Sequence, residues 1–80
     1  MNMKPFMISA GYSMYKYDSE KLGVTVLAVS KEGLGDRGAI YTVGESRIVL
    51  KGNTLPVNIR EEADQAVRRN RELILEEFNA

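Results

Sequence analysis

Eighty residues hold one domain, and a chain of that length buries only a little over roughly 60% of its unfolded surface, so its stability margin is thin and association would add to it. Hydrophobic residues at 44% and charged residues at 28% are globular values, and eleven basic against eleven acidic side chains exclude a protein that holds polyanions by bulk charge. With no Cys and no His, disulfides, thiolate and imidazole metal sites and the commonest general base are excluded too.

In chain order, Met1 to Ala10 carries one Lys and a broken apolar run, too short and polar for a secretory signal, and no later segment approaches a membrane span. A cytoplasmic protein is the expectation. Phe6-Met7-Ile8 is a short apolar strand ended by Ser9, Ala10 and Gly11. Tyr12 to Tyr17 is rich in aromatics at a period near two, a half-buried strand with Tyr15 and Tyr17 on one face. After the polar turn Asp18 to Lys21, Val24 to Val29 is apolar on both faces and belongs in the middle of a sheet. Lys31 to Gly38 is a loop, and Ala39 to Val43 resumes strand character.

Gly44-Glu45 suits a type II′ hairpin turn. The strand that returns from it should put Ile48 and Leu50 inward and Arg47 and Lys51 outward. Leu55, Val57 and Ile59 alternate as a last strand, which Pro56 confines to an edge or a bulge. Asn58 and Glu61 have the spacing of a capping box. A helix over about 60–78 follows, with Ala63, Ala66, Val67, Leu73, Ile74 and Phe78 on an apolar stripe that Asn70 interrupts. At 1.5 Å per residue it would reach about 28 Å, long for so small a sheet, so Leu73, Ile74 and Phe78 are the predicted partner interface.

Few constellations could carry chemistry. Gly33 to Gly38 spells G-x-G-x-x-G, but a strand follows where a dinucleotide site needs a helix, so a plain hairpin loop is the better reading. Glu61-Glu62 and Glu76-Glu77 are helix neighbours pointing about 100° apart and cannot clasp one ligand. No serine has an elbow setting or a His partner. The chain therefore reads as a binding protein and not an enzyme, with no metal and no cofactor. Arg60, at the strand-to-helix junction, is placed to meet a phosphate or a guanine edge.

Phe6-Met7-Ile8-Ser9, Gly11, Val24-Thr25-Val26-Leu27-Ala28-Val29, Arg47-Ile48 and Arg60-Glu61-Glu62 together resemble the carbon storage regulator (CsrA/RsmA) family of translational repressors. The resemblance implies an interlocked homodimer gripping RNA through the first strand and the Arg before the helix. It assigns RNA contacts to Arg60, Arg47, Met7 and Ile8.

The expectation is an α+β fold over residues 1–80: an antiparallel sheet or small barrel of five to six strands, within 5–59, and one C-terminal helix. The leading function is a small dimeric RNA-binding translational regulator. The alternative is a protein-binding inhibitor or adaptor of phage or mobile-element type, acting through its helix or an edge strand.

Overall fold

The computed structural model describes residues 3–80; Met1 and Asn2, the start of the segment unlike a secretory signal, lie outside the described residues. The strands are β1 (Met7–Ser9), β2 (Tyr12–Ser19), β3 (Val24–Lys31), β4 (Gly38–Val43) and β5 (Ile48–Asn53). A 3-10 turn, Val57–Ile59, leads into α1 (Arg60–Arg69) and α2 (Arg71–Asn79). The fold is α+β: one five-stranded antiparallel sheet in the order β1-β2-β3-β4-β5, with a C-terminal helical arm across one face. The apolar run Val24 to Val29 is indeed in the central strand, and β1 and β5 are the edges.

The meander is turned by local chemistry. Ser9 pairs with Tyr12, so Ala10 and Gly11 are the whole β1–β2 loop. Both have positive φ, 54° and 82°, the pattern of a type I′ turn, whose twist matches that of the strands it joins. The β4–β5 connection differs from expectation. Val43 pairs with Ile48 and the Gly44 amide donates to the Arg47 carbonyl at 2.8 Å, so Glu45 and Ser46 are the central pair. Neither Gly44 nor Glu45 has positive φ, which rules out the type II′ turn.

Two further expectations are corrected in this stretch. Tyr41 pairs with Leu50 but Ile40 with Gly52, so Lys51 is the extra residue of a bulge. Ile48 is buried as expected, whereas Leu50, on an edge strand, stays 42% exposed. Beyond β5 there is no strand through Leu55, Val57 and Ile59. Pro56 has no amide to pair, and the chain closes into the 3-10 turn, with Leu55 buried and Val57 facing solvent. Asn58 falls inside that turn, α1 begins after Ile59, and no side chain caps it, so the capping box does not form.

The core lies between one sheet face and the helical arm. Tyr12, Met14, Leu27, Val29, Ala39 and Tyr41 come from the sheet, and Ala63, Ala66, Val67 and Ile74 from the helices. Two buried tyrosines tie the layers together with polar tips. Tyr12 donates to the Glu62 carboxylate at 2.8 Å and Tyr41 to Asp64 at 2.6 Å. Burial first, then the neighbouring carboxylate, pushes the Tyr12 phenol up to about 12 and raises that of Tyr41 as well.

The predicted single helix is broken at Asn70, which leaves the helical region at φ −104°, ψ 21°. Its side-chain amide donates to Ser9 Oγ and to the Ala66 carbonyl, both at 2.8 Å, so the residue that interrupts the apolar stripe staples the arm to β1. α2 then lies back on the chain. Ile74 is fully buried, Phe78 meets Phe6 edge-on at 6.1 Å, and Leu75 packs on the core where Leu73 was expected.

Candidate partner-binding face

Register assigns every strand residue to one of two faces. On the face away from the helices the side chains form cross-strand rows. Ile8, Ser13, Ser30 and Gly38 make the first, and Tyr15, Ala28, Ile40 and Gly52 the second. Tyr17, Val26, Thr42 and Val49 make the third, and Ser19 and Val24 a short fourth. None of these residues is charged, in a chain that is 28% charged. An antiparallel sheet whose second face met only water would alternate apolar with polar.

The face has relief. Ile8 is 66% exposed, Val24 51% and Tyr17 46%, so these side chains stand up from it, while Val26 at its centre is fully covered. At the other end the small residues Ala28, Ser30 and Gly38 leave a concavity of ≈ 610 Å³, walled by Met3, Tyr15, Tyr17 and the loop residues Gly35 to Arg37. That loop is the G-x-G-x-x-G segment, and it serves as the β3–β4 connection. Gly33 and Gly35 take positive φ, and Arg37 Nε donates to the Thr54 carbonyl at 2.8 Å, which anchors the wall. A Cβ on Gly38 would sit 2.6 Å from the Val29 carbonyl oxygen, so the floor of the hollow is restricted to glycine.

The residues assigned to RNA do not converge on one surface. Met7 pairs with Met14 on the helix-covered face and packs on the core, while its neighbour Ile8 points the other way. Arg47 lies in the β4–β5 turn, at the opposite edge of the sheet from β1, about 19 Å away at ~4.8 Å per strand. Arg60 is at the helix start, its Nε held by the Leu55 carbonyl at 2.8 Å. Of the predicted interface on the arm, Leu73 is 56% exposed, Ile74 is core and Phe78 is half-buried against Phe6.

Two helix arginines bond the opposite edge of the sheet. Arg68 Nη1 donates to the Ile48 carbonyl at 2.6 Å and its Nε lies 3.5 Å from Asp64, while Arg71 donates to the Ser46 carbonyl. Asn79 reaches the Gly44 carbonyl at 3.1 Å. Together they occupy backbone acceptors along the β5 edge and its turn, which an incoming strand would otherwise use. Sequence reading missed the open face as a unit, although the alternation Tyr15, Tyr17 and Val24, Val26, Ala28 carried its signal.

Over 60 residues the chain is 32% identical to the co-chaperonin GroES of Buchnera aphidicola subsp. Tuberolachnus salignus. The match covers 75% of this chain and 62% of that protein's length. No family model matches, and no solved structure matches. The similarity overturns the resemblance to carbon storage regulators: it is to a co-chaperonin, and neither RNA-binding translational regulation nor a phage-type inhibitor or adaptor has support. The structure supplies a physical reason. Of the residues that the resemblance assigned to RNA, Met7 packs on the core, while Arg47 and Arg60 lie at an edge turn and a helix start. Among the described residues no helix is long and apolar enough to cross a membrane, and no cluster of three metal-ligating side chains occurs.

Proposed function

We propose that this chain is a non-catalytic component of chaperone type, working as an assembly of protein chains and by contact with protein surfaces. The observation that carries the reading is the 32% identity to a co-chaperonin over 60 residues. The exposed Ile8, Val24 and Tyr17 on a sheet face without charged residues in its rows support it, since exposed apolar patches mark surfaces that meet other macromolecules. The two strongly displaced phenols are core groups tied to helix carboxylates, which is a structural use.

The test is sedimentation velocity of fluorescently labelled protein mixed with a purified chaperonin, with and without ATP. A fast boundary carrying the label at micromolar chaperonin supports the reading. An unchanged slow boundary under both conditions sinks it.

A further inference from the structure

We propose that the hollow on the open sheet face is a small-molecule site, and that its ligand is a free aromatic amino acid carrying both its ammonium and its carboxylate. The site is separate from the protein contacts proposed above. Construction makes the first argument. The loop that walls the hollow is tied down at several points. Leu34 packs on the core, its amide donates to the Lys31 carbonyl, and the Arg37 amide donates to the Leu34 carbonyl, each at 3.2 Å. Thr54 then holds the end of the loop: its carbonyl accepts from Arg37 Nε at 2.8 Å and its hydroxyl from the Gly38 amide at 2.9 Å. A hollow held open in this way costs an incoming ligand little reorganisation. Its ≈ 610 Å³ falls within the roughly 300–1,000 Å³ of small-molecule sites.

Lining makes the second. Tyr15, Tyr17 and Ile40 offer aromatic and apolar surface beside the small residues Ala28 and Gly38, and Met3 adds to one side. An aromatic ring suits such surroundings, since it packs on tyrosines edge-on or offset as well as burying apolar area.

Charge makes the third. Asp36 and Arg37 both line the hollow, and among the described residues neither is in a salt bridge. The Thr54 carbonyl that holds Arg37 is neutral and leaves the guanidinium charge uncompensated. A ligand with a single charge is attracted by one of these neighbours and repelled by the other. A ligand with none covers both without pairing them, which costs their hydration. A zwitterion answers both, its ammonium to Asp36 and its carboxylate to Arg37 in charge-assisted hydrogen bonds. Residues inside a polypeptide carry no such pair, so the free amino acid is favoured over a protein segment.

The experiment titrates the isotope-labelled full chain with L-tryptophan and L-phenylalanine, and with phenethylamine and phenylpropionate as the cation-only and anion-only analogues. Backbone amide shifts are followed to roughly 10 mM ligand, which covers the weak affinities expected of so small a molecule. Saturable shifts are expected at Tyr15, Ala28 and Gly35 to Gly38, with both single-charge analogues about tenfold weaker. Asp36→Asn, which touches no bond of the fold, should weaken L-tryptophan roughly fivefold and leave phenylpropionate no weaker. Ala28→Leu fills the hollow and should abolish every shift with circular dichroism unchanged; if it fails to fold, Asp36→Asn decides. No saturable shift at these residues, equal binding of the single-charge analogues, or indifference to Asp36→Asn overturns the proposal. Tighter binding of the capped N-acetyl-tryptophan amide overturns it too, and makes a polypeptide segment the occupant.

Discussion

The two faces of the sheet come from the same five strands and solve opposite problems. The covered face carries large side chains with polar ends, and each polar end is answered: Tyr12 by Glu62, Tyr41 by Asp64, Ser9 by Asn70. Lys16 also reaches across to α2, over the Phe78 ring at 5.4 Å and to the Glu77 carbonyl at 3.2 Å. The open face carries uncharged side chains of uneven height and no polar ties to another layer. What differs is specification. Hydrogen bonds fix where the helical arm sits, because a buried hydroxyl or amide without its partner costs about 1–3 kcal/mol. Among the described residues nothing of that kind fixes a second layer on the open face.

The largest expected effect breaks the open face from within. Gly38→Ala puts a methyl 2.6 Å from the Val29 carbonyl oxygen, and backbone on both sides must give way, at a cost of about 1–3 kcal/mol in urea denaturation. Gly52→Ala is the control. It lies on the same face with open space around its Cβ position, so it should change stability by no more than ~0.5 kcal/mol. Equal losses at the two sites would show that strand flexibility, and not the close approach of β3 and β4, sets the need for glycine.

The covered face should answer to alkali. The Tyr12 phenol is raised from 10.0 to about 12 by burial and by Glu62, so between those values the folded chain keeps a proton that the unfolded chain has lost. Its contribution is complete below pH 10 and is lost as pH rises towards 12, with Tyr41 acting in the same direction. Denaturation midpoints followed from pH 8 to 11.5 should fall steeply above 10, and Tyr12→Phe should flatten that fall while costing about 0.5–1.5 kcal/mol at neutral pH. An undiminished slope in the variant would place the alkaline transition elsewhere.

Much of this fold was legible in the sequence, and the misses share a cause. Periodicity located β1 to β5 and the helical arm, because alternation and the 3.6-residue repeat are local properties. It placed Val24 to Val29 centrally, since a strand apolar on both faces needs neighbours on both sides. It failed where tertiary partners decide. Leu55, Val57 and Ile59 alternate like a strand, but Pro56 has no amide to pair and the chain closes into the 3-10 turn that leads to the arm. Arg68 reaches a carbonyl 20 residues away, which no local pattern reveals. Arg47, Arg60, Met7 and Ile8 resembled a binding set in one dimension and are spread over an edge turn, a helix start and two opposite faces.

The smallest effect concerns the hinge from which both faces start. Ala10 holds φ at 54°, where an L side chain pays roughly 1 kcal/mol in close contact with its own carbonyl, and it is the one non-glycine residue with positive φ among the described residues. Replacement by glycine removes that strain but widens the unfolded ensemble, which returns part of the gain. Asparagine tolerates the left-handed region without that entropic loss, and Asn-Gly is the favoured pair for a two-residue type I′ loop. Ala10→Asn should therefore stabilise by about 0.5–1 kcal/mol and Ala10→Gly by less. For a domain of this size that is a Tm rise of roughly 2–8 °C. Because Ser9 and Ile8, one on each face, hang from this turn, a fall in Tm with asparagine would mean that β1 is held in register by Asn70 and Phe6 against its own turn, and that the arm dictates the geometry of the edge.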